Sequence, residues 1–178
     1  MGDTLITIIA IALAAVLMFV FPLMTMSDRT DDVSQLTVET ATTEFVDDVR
    51  TTGKITMDKY GKFVENLSST GNSYDIEMEA KILDENPGKK TTQASSTKIG
   101  ENVYYSMYTS QILDTVSGSN GKKILALKEG DMFSASVKNT NTTMSQQLKN
   151  FFYSVTGNDT YTIAASHAGF VTANGTGN

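Results

Sequence analysis

Charge disappears from the chain between Leu5 and Met24, where LITIIAIALAAVLMFVFPLM runs for twenty residues without an acidic or basic side chain. At about 1.5 Å per residue, a helix of this length matches the roughly 30 Å hydrocarbon core of a bilayer. Beyond Val33 the pattern changes to one apolar residue per turn. Val38, Ala41, Thr42, Phe45, Val46 and Val49 fall at i, i+3, i+4, i+7, i+8 and i+11, while Glu39, Glu44, Asp47, Asp48 and Arg50 lie away from that line. The spacing predicts one long helix from Leu5 to Arg50, kinked near Met18 to Pro22, loosened at Ser27 to Asp32 and ended by Gly53. Its first half is read as a transmembrane or assembly helix (1–26), its second as an amphipathic continuation (27–55). Val38, Phe45 and Val49 are expected to pack on a sheet.

Residues 56–178 read as an α+β domain. A second helix is capped by Thr56, carries Tyr60, Phe63, Val64 and Leu67 on one face, and closes at Gly71. Strict alternation over Tyr74–Ile82 predicts a strand wet on one side, whose Tyr74, Ile76 and Met78 face should receive the long helix. Asp84–Ser96 reads as a loop, Val103–Tyr108 as a strand and Ser110–Val116 as a short helix capped by Ser110. A turn at Ser117–Gly121 should follow. Lys123–Lys128 and Met132–Lys138 read as a hairpin through Glu129-Gly130-Asp131. Met144, Leu148, Phe151 and Phe152 suggest another helix, and Tyr161–Thr172 a last strand with a bulge at Gly169. The tail from Ala173 is expected to fray. Together these elements make a small antiparallel sheet packed against a long helix.

The flanks decide between anchor and signal peptide. Only Met1, Gly2, Asp3 and Thr4 precede the apolar run, and no small-x-small cleavage site follows it, so a retained single-pass anchor is expected. Net charge is −6 with no cluster of Lys or Arg, which argues against nucleic acid as a partner. Without cysteine the chain has no disulfide and no thiolate. Richness in Asn, Thr, Ser and Gly suggests an exported, extracellular domain. Four Asn-x-Ser/Thr sequons, at Asn66, Asn141, Asn158 and Asn174, matter only in a glycosylating compartment.

Candidate chemistry is sparse. His167 is the single histidine and reads as a strand residue. Ser95-Ser96-Thr97-Lys98 has the Ser-x-x-Lys form but lacks the partner motifs of that nucleophile. Asp84-Glu85-Asn86-Pro87-Gly88 opens like a calcium loop, yet Gly88 takes a ligand position and Ser95 stands where the closing Glu belongs. Asp31-Asp32 and Asp47-Asp48 read as solvated charges. No enzyme activity, cofactor or metal is expected.

Gly2 before an apolar helix, Pro22 near its end and the amphipathic stretch Val33–Arg50 resemble the type IV pilin-like subunits. Phe45–Thr56, running into a Tyr60–Leu67 helix, is similar to the tight-adherence minor-pilin-like proteins of Gram-positive bacteria and their mobile elements. The resemblance implies a structural subunit of a pilus-like filament or a secretion or conjugation apparatus, with like copies as partners. It also implies processing after Gly2 and a registering role for Asp3. Two features depart from the family's pattern: a two-residue leader with no Lys or Arg, and Thr7 where a Glu is usual. Assembly would run through Asp3, Leu5, Ile8, Ile9, Ala12, Val16, Phe19 and Pro22, with alanines allowing close helix approach. The alternative is a single-span surface protein whose domain binds a ligand without polymerising, through Tyr104, Tyr105, Tyr108 and the Asp84–Ser96 loop.

Overall fold

A computed structural model describes residues 2–84, 104–118, 123–147 and 162–176. One helix, α1 (Gly2–Thr52), runs about 75 Å at the standard rise and contains Pro22. It is not loosened at Ser27–Asp32. Asp28 accepts a hydrogen bond from Ser145, and Thr143 Oγ1 donates to Asp31 Oδ2 at 2.7 Å. Thr30 Oγ1 returns to Met26 O at 3.1 Å. These side chains hold a stretch whose charges alone favour no particular conformation. Gly53, with φ of 65°, ends the helix and donates its N–H to Val49 O.

Three residues then form β1 (Lys54–Thr56), a strand too short to leave a periodic signal. Thr56 caps α2 (Met57–Ser68), its hydroxyl accepting from Lys59 N at 3.3 Å. Helix α2 runs back along α1, and Phe45 and Phe63 stack at 4.4 Å, nearly parallel. The main sheet has the order β3-β2-β5-β6, antiparallel throughout, from β2 (Tyr74–Leu83), β3 (Tyr104–Tyr108), β5 (Met132–Asn139) and β6 (Ala164–Phe170). Its inner face presents Met78, Ala80, Phe133, Ala135 and Val137, all buried.

The fold is therefore α+β, with a long N-terminal apolar helix packed on a small antiparallel sheet. Helix α1 lies chiefly over β5 and β6 rather than over β2. Phe45 meets Phe133 of β5 edge-on at 5.7 Å, while Tyr74 and Ile76 reach the core from its margin.

Several local expectations are corrected. Strand β4 (Ile124–Ala126) does not pair with β5; it pairs with β1 in a separate two-stranded sheet. Both edges of β5 are already occupied by β2 and β6, so the turn at Gly130 links two sheets instead of closing a hairpin. Helix α3 (Thr109–Val116) begins after Tyr108, whose N–H is taken by Gln111 Oε1. Thr109 is drawn to β2, where its Oγ1 accepts from Met78 N at 2.7 Å. Gly169 is not a bulge, because it pairs in regular register with Phe133. It is small because a Cβ there would stand 2.4 Å from Arg50 Nε.

Nor does the tail fray at once. Asn174 accepts from Glu129 N, and Gly175 N donates to Leu127 O at 2.8 Å. Residues 144–147 are helical with Met144 exposed. Leu148, Phe151, Phe152, the Asn120-Gly121 turn and the Glu85–Ser96 part of the expected loop lie outside the described residues.

Candidate assembly surface

From Leu5 to Met24 no side chain is buried by the domain, and the segment is uncharged and apolar throughout except for Thr7. Asp3, Leu5, Ile8, Ile9, Ala12, Val16, Phe19 and Pro22 are all exposed, as is Gly2. Thr7 turns its hydroxyl to Asp3 O at 2.7 Å, a bond within the helix that spares an apolar surrounding an unpaired hydroxyl. A helix apolar on every side is stable only in lipid or among other apolar helices. By length and composition it can cross a membrane once.

Above that segment α1 has two faces. Asp31, Ser34, Val38, Ala41, Thr42, Phe45, Val46 and Val49 are buried against the domain. On the opposite side Met26, Val33 and Leu36 are 67%, 65% and 64% exposed. Val33 lies about 13 Å beyond Met24 along the helix, past the hydrocarbon boundary and beyond the headgroup region. Val33 and Leu36 thus carry apolar surface past the bilayer on the face turned away from the sheet, with the exposed Arg29, Thr30 and Asp32 interleaved between them and Met26. The periodicity of the buried line was readable from sequence. Val33 and Leu36 stand outside that line, and two apolar residues among charged neighbours leave no periodic signal of their own.

Elsewhere on α1, charge organises contacts with the domain. Arg50 pairs with Asp47 at 2.6 Å and its Nε donates to Phe170 O at 2.9 Å. His167 lies half-buried with Nε2 3.4 Å from the same Asp47 oxygen. The histidine thus belongs to the helix-to-sheet contact. Lys59 ties α2 to Asp48 at 2.9 Å.

The outer face of the sheet carries an open groove lined by Asp75, Glu77, Glu79, Tyr108, Ser134, Ser136 and Ser166, among others. Ser106 donates at 2.7 Å to Glu79, one of the lining residues. Tyr104 and Tyr108 share this outer face with Ser106, whereas Tyr105 pairs with Ile82 on the inner side of the same edge. Among the described residues no group of three or more His, Cys, Asp or Glu side chains is arranged to hold a metal ion. Residues 95–98 and 85–88 lie outside the described residues. The chain matches no known family model, no curated protein and no solved structure.

Proposed function

We propose that this chain is a structural subunit that assembles with like copies through α1, as in a type IV pilus-like filament or a pilus-like secretion or conjugation apparatus. The supporting observation is that Val33 and Leu36, on the back of α1, are exposed apolar side chains beyond the length a bilayer would cover. An anchor alone needs only the twenty residues from Leu5 to Met24; a packed bundle of α1 helices also uses these two. The sheet domains would then stand outside the bundle, on the extracellular side. The role is one of shape and contact, not catalysis.

Purification of the full chain in mild detergent, followed by crosslinking and negative-stain microscopy, tests the reading. Ordered oligomers or filaments are expected. Strictly monomeric protein under every condition, with no filaments on the cell surface, contradicts it.

A second reading takes its support from the groove beside Tyr108: a single-span protein whose domain binds a surface ligand. Ligand capture by the full chain that is lost in Tyr108→Ala, with no oligomer formed, would favour it.

A further inference from the structure

Resting on the reading of Leu5–Met24 as a membrane span, we infer that the domain has no stalk and that its near end is seated in the lipid headgroup layer, led by Met144. Three contacts set the height of that end along α1. Gln35 and Ala164 exchange hydrogen bonds, with Ala164 N donating to Gln35 Oε1 at 3.1 Å and Gln35 Nε2 to Ala164 O at 2.8 Å. Thr143 is bonded to Asp31 at 2.7 Å. Ser145 is bonded to Asp28. The segment 143–147 therefore descends along the helix toward the span.

Counted from Met24, Gln35 lies about 16 Å out, Asp31 about 10 Å and Asp28 about 6 Å. The headgroup region occupies roughly 5–8 Å on each side of the hydrocarbon core. Ser145 is thus inside it and Thr143 just above.

The composition of this end fits its height. It is built from the turn between α2 and β2 and the segment after β5, which meet where Ser73 N donates to Asn141 Oδ1 at 2.8 Å. Neither residues 66–74 nor residues 139–147 include a single charged side chain. Hydroxyls and amides dominate instead, groups that hydrogen-bond to phosphate and ester oxygens without the cost of desolvating a charge. Thr143, Ser145 and Gln146 are buried, whereas Met144 between them is 67% exposed. Met144 thus points outward from a segment that brings no charge of its own, with Asp28 and Asp32 of α1 as carboxylates at or just above that height. An apolar side chain so placed can enter the interface as the apolar face of an interfacial helix does. Arg29, exposed on α1 one residue beyond Asp28, supplies a cation at phosphate height. At the opposite end the Lys128–Asp131 turn is charged.

Because the chain has no cysteine, single-cysteine labelling tests this in the full protein. Met144→Cys, Thr142→Cys, Glu129→Cys and Phe19→Cys variants, each carrying an environment-sensitive fluorophore, would be placed in phosphatidylcholine nanodiscs at one copy per disc. Nitroxide quenchers sit on either the headgroup or the acyl chain. Seating predicts that headgroup nitroxide quenches the labels at 144 and 142 several-fold more than the label at 129, while acyl-chain nitroxide quenches the label at 19. If the label at 19 is quenched but those at 144 and 142 behave like 129, the span stands and the seating is wrong. Shielded but unquenched labels at 144 and 142 would place that end against protein, and also overturn it. An unquenched label at 19 defeats the span and the seating together.

Discussion

At the residue scale, Phe45 joins the three parts of the molecule. Its ring stacks on Phe63 of α2 and meets Phe133 of β5 edge-on, with 5% of its surface exposed. Phe45→Ala should therefore cost about 3–5 kcal/mol, a large share of a small domain's stability. Glu44→Ala, one residue away and exposed, should change the melting temperature hardly at all; thermal unfolding in detergent reads both. Two glycines should respond with opposite signs. Gly53→Ala places a Cβ 2.5 Å from Ala173 O and Gly175 N at a positive φ, with an expected loss of about 1–3 kcal/mol. Gly61→Ala sits in α2 with nothing within 4 Å, and should stabilise by about 0.5–1 kcal/mol.

Burial also pushes the Tyr60 phenol above its ordinary value of 10.0. Its contribution is fully present below that value and is lost as pH rises toward the folded-state value, because the unfolded chain ionises first. Alkaline unfolding of Tyr60→Phe, followed by circular dichroism, should lack that component.

At the element scale, what the sequence disclosed depended on period and length. The apolar run and the Val38–Val49 line extend over many turns, so α1 and its inner face were legible. Helix α2, with Thr56 as cap and its Phe63–Leu67 stripe, was legible for the same reason. So was β2, whose charged and apolar residues alternate without interruption. Short elements were not. Strands β1 and β4 span three residues each and acquire their identity only by pairing with one another. The expected hairpin failed because local turn chemistry at Gly130 says nothing about which edges of β5 remain open. Gly169 has the local look of a bulge, and only the arrival of Arg50 from a distant helix explains its size. In the same way, the Gly53–Gly175 approach, which fastens the tail, joins residues far apart in sequence and left no local signature.

The whole molecule is a rod with a domain wrapped on one side of its upper half. Its lower half, and Val33 and Leu36 on the back of its upper half, offer apolar surface to something else. Val33→Ser with Leu36→Ser should weaken association between copies while leaving the full chain in the membrane fraction, because the span itself is untouched. The central claim is that copies meet along the back of α1. A Val33→Cys variant in native membranes, exposed to a mild oxidant, tests it most directly, with Glu77→Cys on the exposed outer face of the sheet as the comparison. The account predicts disulfide-linked dimers at Val33 and few at Glu77. Equal yields at the two positions, or none at Val33, would contradict it.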